Sequence, residues 1–517
     1  MAQTHLHQLL VAAALLLHAA VVGVHGFQIE EATIDAIHAG FNNGSLTSTE
    51  LVRLYLHRIG RLNPLLRAVI EVSPDALRQA ARADAERRSP PGRRRRRRCC
   101  RGRLHGVPVL LKDNIATRDR MNTTAGSLAL LGAVARRDAG VVRRLRRAGA
   151  VVLGKANMDE WANFRGIVGS GGWSARGGQG RNPYVLSADP CGSSTGSAIA
   201  AAANMAAVTI GTETSGSILC PSSLNSVVGI KPTVGLTSRA GVIPITPRQD
   251  TIGPICRTVA DAVKVLDIIV GYDARDARAT RGASKYIPSG GYTQFLKVDG
   301  LRGKRIGIPN GFFNYPNGSV QQKLFQQHFE TMRKHGAILI ENVDIANLSI
   351  ILDVLNNGEQ IALPAEFKLS LNAYLSELSY SPVHSLQEII AFNNAHPIEE
   401  RLKDLGQFIF LVAENTTGIG ATERAAIRQL NMLSSNGLEK LMKEEQLDAV
   451  VTPNDSAASV LAIGGLPGIT VPAGYGKEGV PFGLCFGGLR GYEPRLIEMA
   501  YAFEQVTGVR VTPRFKT

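Results

Sequence analysis

The 517-residue chain predicts an α/β fold in a single large domain, and three observations carry that prediction. From residue 107 onward, short β-branched apolar runs (107–111, 151–153, 208–210) alternate with alanine-rich helical stretches such as 196–203. A hydrophobic content of 44% against 20% charged residues is ordinary globular composition, enough to bury a sizeable core. No internal repeat is visible, and no proline-rich linker divides the chain after residue 103.

The elements follow in order. Residues 9–24 form a nearly uninterrupted apolar run, shorter than the ~20 residues of a membrane span, and Val24-His25-Gly26 offers a cleavage point before Phe27. Residues 1–26 are therefore expected to be a signal peptide and the protein to enter the secretory pathway. The sequons at Asn43, Asn317, Asn347 and Asn415 fit that route; Asn122 and Asn454 also match, and Asn122 is expected close to the active site and without glycan. Thr47 to Glu50 has capping-box spacing ahead of the amphipathic run 51–59. Ser73-Pro74 supplies an N-cap and a first-turn proline for a helix to about Arg87. Farther on, 304–308, 338–340 and 448–451 read as strands, 320–335 as a helix closed by Gly336, and 496–506 as a helix ending near Gly508.

The net charge of +15 suggests a polyanion partner until its location is read. Ten arginines and no acid lie between Arg87 and Arg103, leaving +5 for the rest of the chain. Proline, glycine and like-charge repulsion make residues 88–103 a disordered insert within the domain. No aromatic residue interleaves it, so a solvated surface insertion is preferred to a nucleic-acid site. The six cysteines (Cys99, Cys100, Cys191, Cys220, Cys256 and Cys485) include no C-x-x-C, and no histidine stands at zinc-ligand spacing. One disulfide among the last four is compatible with an oxidising compartment, its pairing left open.

Two glycine-punctuated serine loops carry the chemistry: C-G-S-S-T-G-S at 191–197 and T-E-T-S-G-S-I at 212–218. Ser217 is the candidate nucleophile, with the backbone N–H groups of Thr214, Ser215, Gly216 and Ser217 as candidate oxyanion donors. No histidine stands in a motif suited to serve it, and His105 reads as a strand-end structural residue. Lys112 ends the apolar run 107–111, where desolvation lowers an amine's pKa and lets it act as a base. The alternative for Lys112 is a structural ion pair with Asp113. Ser193, 24 residues before Ser217, is placed to relay a proton between the two. The same loop also matches G-x-S-x-G with Ser194 as nucleophile, but it follows a turn rather than a strand and lacks persuasive downstream partners.

At these residues the chain resembles the amidase signature family, whose hallmark is a Ser-Ser-Lys triad in a serine- and glycine-rich segment. The resemblance runs from about Phe27 to the C-terminus apart from the Arg-rich insert, and is densest over 104–261. It includes V-P-V-L-L-K-D-N, G-K-A-N-M-D-E-W, G-G-W-S-A-R-G-G-Q and V-G-I-K-P-T-V-G-L. It implies a mixed, twisted β-sheet flanked by helices, with Lys112 as base, Ser193 as bridging serine beside a cis peptide, and Ser217 as acylated nucleophile. The implied reaction is hydrolysis of a carbon–nitrogen amide bond through an acyl-enzyme, with neither metal nor organic cofactor. Within the family, several segments are similar to those of peptide amidases, which act on C-terminal peptide amides, and of their plant relatives. Ser215 stands where those relatives carry Asp. The implied partner is a small-molecule or peptide amide, with no nucleic acid, no stable membrane span, and a monomer or homodimer as assembly. The alternatives are a fatty acyl or indoleacetamide-type amide hydrolase and a catalytically inactive amidase-fold binding protein.

Overall fold

The computed structural model describes residues 27–88 and 103–516. The expected signal peptide, and all of the Arg-rich insert except its edges Arg88 and Arg103, lie outside the described residues.

Eleven strands form one mixed sheet: β1 (Val69–Val72), β2 (Pro108–Lys112), β3 (Val151–Ala156), β4 (Val208–Glu213), β5 (Val228–Lys231), β6 (Thr251–Cys256), β7 (Arg305–Pro309), β8 (Ile338–Val343), β9 (Ala449–Pro453), β10 (Gly468–Tyr475) and β11 (Pro481–Gly487). Their spatial order is β1-β3-β2-β4-β6-β5-β10-β11-β9-β7-β8. The β3-β2-β4 and β9-β7-β8 stretches pair in parallel, and the remaining neighbours are antiparallel. The mixed sheet expected from the resemblance is present.

The central strands β2, β3, β4, β6 and β9 are buried along their whole length, as required of a sheet covered by helices on both faces. Such strands lose the alternation that marks a half-solvated one, so β5, β6, β10 and β11 were not expected from periodicity. β6 even carries Pro254, and β10 and β11 are rich in glycine and proline. The alanine-rich helix Thr195–Ala202 is entirely buried. Its small side chains let it lie against β4, where the Ser197 hydroxyl donates to Ile210 O and Thr209 Oγ1 donates to Ser197 O.

Near the N-terminus, the capping box forms as expected: Thr47 Oγ1 accepts from Glu50 N, and Glu50 Oε2 accepts from Thr47 N, opening the helix Ser48–Leu66. The helix expected from Ser73-Pro74 starts later, at Ala76, and runs to Arg88. Helices Glu359–Ser376, Leu386–Ala395 and Phe408–Glu414 enclose a second core around Trp161, Phe367 and Phe410. Arg165 ties that group to the sheet, donating to Glu160 at 2.7 Å and to Glu400 at 3.0 Å in a buried cluster. Among the described residues no helix is long and apolar enough to cross a membrane.

Candidate active site

Lys112 closes β2, between Ala156 of β3 on one side and β4 on the other, and is fully buried. Its Nζ donates to Ser193 Oγ at 2.7 Å, Ser194 Oγ at 3.0 Å and Thr212 O at 3.1 Å. No carboxylate pairs with it among the described residues. The alternative pairing with Asp113 does not form, because Asp113 accepts instead from Thr124, Gly126 N and Arg176. Burial pushes the Lys112 pKa down from 10.5 to about 7, against the weaker opposing pull of Asp159, Glu213 and Asp250. The shift favours the uncharged amine, which retains a lone pair.

Ser193 follows a cis Gly192–Ser193 peptide and is almost wholly buried. Asp159 shapes this turn: its N–H donates to Ser193 O, and its carboxylate accepts from Thr195 Oγ1 at 2.8 Å. That carboxylate packs so close to Gly192 that a Cβ there would meet Oδ1 at 2.3 Å and displace it from the turn. Ser194, the elbow candidate, is fully buried and spends its hydroxyl on Lys112, Thr212 O and Thr212 N. Residues 186–193, leading into it, form no strand. Ser194 is thus a second hydroxyl on the amine.

Ser217 lies in the turn after β4, 9% exposed. The two serine loops are joined by a hydrogen bond from Ser194 N to Ser217 O at 3.1 Å and by a disulfide between Cys191 and Cys220. No hydrogen bond joins the Ser193 and Ser217 hydroxyls among the described residues. Glu213 folds the turn: Oε1 accepts from Gly216 N at 2.9 Å, and Oε2 from Ile218 N at 2.7 Å and Leu219 N at 3.0 Å. The Glu213 side chain thereby satisfies the first amides of the helix Leu219–Leu224 and holds Gly216 at φ 77°, a conformation suited to glycine. Of the expected oxyanion donors, the Gly216 N–H donates here to Glu213 Oε1. The N–H groups of Thr214, Ser215 and Ser217 donate to no acceptor among the described residues. Thr214 Oγ1 in turn donates to Asp250 at 2.7 Å.

Glu213, Asp159 and Asp250 were not among the candidates read from the sequence. Glu213 and Asp159 do stand inside the motifs quoted there, and a carboxylate inside an otherwise apolar, buried stretch is the signal that finds them. His105 is structural, as expected, with Nε2 3.1 Å from Glu86.

The fold matches solved amidase structures. Native peptide amidase from Stenotrophomonas maltophilia aligns with a TM-score of 0.86 and 44% identity, covering 95% of this chain and all of that one. An amidase family protein from Bacillus anthracis aligns with a TM-score of 0.85 and 34% identity, covering 94% and 93%. In sequence, a probable amidase of Arabidopsis thaliana is 57% identical over 489 residues, 95% of this chain and 92% of the relative. The sequence model described as Amidase matches residues 50–462. The chain belongs to the Amidase family. It is an amide hydrolase.

Proposed function

We propose that the protein hydrolyses amides through an acyl-enzyme, with Lys112 as base, Ser193 as relay and Ser217 as nucleophile, and that its substrates are peptide amides. The Ser217 oxygen attacks the amide carbonyl carbon, its proton passes to Ser193 Oγ, and the proton of Ser193 passes to Lys112 Nζ. The resulting oxyanion is held by the free N–H groups of Thr214, Ser215 and Ser217. Collapse breaks the carbon–nitrogen bond, and the amine leaves with the proton returned along the same path. Water then cleaves the Ser217 ester by the reverse relay and releases the acid. The observation that carries this reading is the Lys112 amine, buried, without a carboxylate partner among the described residues and 2.7 Å from Ser193 Oγ. The substrate assignment rests on the likeness to peptide amidase across nearly the whole chain. Ser217→Ala is expected to lower kcat by at least ~10³-fold with the fold intact, and Lys112→Ala to leave little activity at neutral pH. Near-normal rates in either purified variant would overturn the assignment. A panel of peptide amides, fatty acyl amides and indoleacetamide should show highest kcat/KM for peptide amides. Preference for either of the others would replace the substrate class and leave the triad standing.

The same proposal places the protein in the secretory pathway. It is supported by the Cys191–Cys220 disulfide and by the exposure of Asn43, Asn317, Asn347 and Asn415. Asn122 instead holds Glu71 with both its backbone N–H and its side-chain amide.

A further inference from the structure

Away from the serine loops lies an open cavity of about 710 Å³, between the segment carrying Arg239 and Arg248, the helix Ala277–Ala283, the helix Glu359–Ser376 and the helix Ala421–Asn436. Neither Lys112, Ser193 nor residues 214–217 line it. Five cations do: Arg239, Arg248, Arg278, Lys285 and Arg490. Arg239 is neutralised by a two-pronged pair with Asp276. Arg278, Lys285 and Arg490 have no carboxylate partner among the described residues. Arg248 is the decisive residue. Its Nε donates to Glu366 Oε1 at 2.7 Å, while Thr246 Oγ1 occupies Glu366 Oε2 at 2.6 Å. Its Nη1 and Nη2 are buried and find no hydrogen-bond partner among the described residues. Two buried guanidinium nitrogens without an acceptor among the described residues are a place where a ligand's acceptor oxygens would be favoured. Apolar side chains also line it, Val234, Leu369, Ile419, Ile427 and Ile463, with Leu369 left 50% exposed.

We propose that this cavity binds an organic phosphomonoester, its phosphate on Arg248 and the cations Arg278, Lys285 and Arg490, its body against Leu369 and Ile427. Guanidinium forks match phosphate oxygens in geometry and charge, and the volume suits a small organic molecule rather than a lone ion. The site is linked to the serine loops: Arg248 lines the cavity, and two residues on, the Asp250 carboxylate holds the Thr214 hydroxyl. The test is calorimetric titration of the full chain with phenyl phosphate, inorganic phosphate and benzyl alcohol. Phenyl phosphate should bind at least tenfold tighter than either of the others. The triple variant Arg278→Gln, Lys285→Gln, Arg490→Gln, confined to exposed side chains, should lose at least tenfold, and Leu369→Glu should lose a comparable factor. Absence of phenyl phosphate binding, or affinity unchanged in the triple variant, would overturn the site. Equal affinity for inorganic phosphate would overturn the organic body.

Discussion

Lys112 is held where a lysine is least at ease. An amine whose pKa falls from 10.5 to about 7 on folding binds fewer protons in the folded state between those values. Folding at pH 7 therefore bears a cost of roughly 4 kcal/mol, at 1.36 kcal/mol per pKa unit. That cost is full below pH 7, shrinks as pH rises toward 10.5, and vanishes above it. Replacing Lys112 by methionine removes the cost but also three hydrogen bonds, to Ser193, Ser194 and Thr212. The variant is expected to be inactive, and its stability relative to the parent should fall steadily between pH 7 and pH 10 in urea titrations. A pH-independent difference would mean that the amine is not depressed. Ser193 is the other half of the pair, and its oxygen 2.7 Å from Nζ gives the neutral amine a proton to take.

At the scale of elements, the turn from β4 into the helix Leu219–Leu224 depends on Glu213, whose two oxygens accept three backbone N–H groups. Glu213→Gln turns one acceptor into a donor facing those amides. A loss of about 2–3 kcal/mol is expected from the unsatisfied groups, with kcat falling more than KM rises because the turn carries the candidate oxyanion donors. Unchanged kcat with lowered stability would reduce Glu213 to a structural role. Lys112 and the two serines were picked out as candidates through the resemblance their motifs carry to the amidase signature family; taken alone, a buried lysine and a turn serine read as structural. Glu213 was not picked out: its carboxylate in a buried stretch was a signal in the sequence, but the three backbone amides it accepts from become visible only in the folded turn. Likewise the strands β2, β3 and β4 were visible as β-branched runs, whereas β10, G-I-T-V-P-A-G-Y, takes its register from β5 and β11 rather than from any pattern of its own. The Cys191–Cys220 pairing was open in the sequence for the same reason: it joins two loops that only the sheet brings together.

For the whole molecule, one sheet carries two different neighbourhoods: serine loops around β2 and β4, and a helical group fastened by the buried Glu160–Arg165–Glu400 cluster. The exposed sequons Asn43, Asn317, Asn347 and Asn415 lie outside the serine loops in the sequence. Protein secreted from a eukaryotic host should lose mass on treatment with a peptide N-glycosidase, and mass spectrometry should place glycans among Asn43, Asn317, Asn347 and Asn415, with none on Asn122. A secreted protein without glycan at all four sites would remove that support for the secretory assignment. The most direct test of the account is the rate at which a fluorophosphonate labels the protein as pH is varied. The rate should rise about tenfold per unit below pH 7, level off above it, place the label on Ser217, and lose its pH-dependent limb in Lys112→Met. A pH-independent rate, or label on Ser194, would contradict a neutral lysine acting through Ser193.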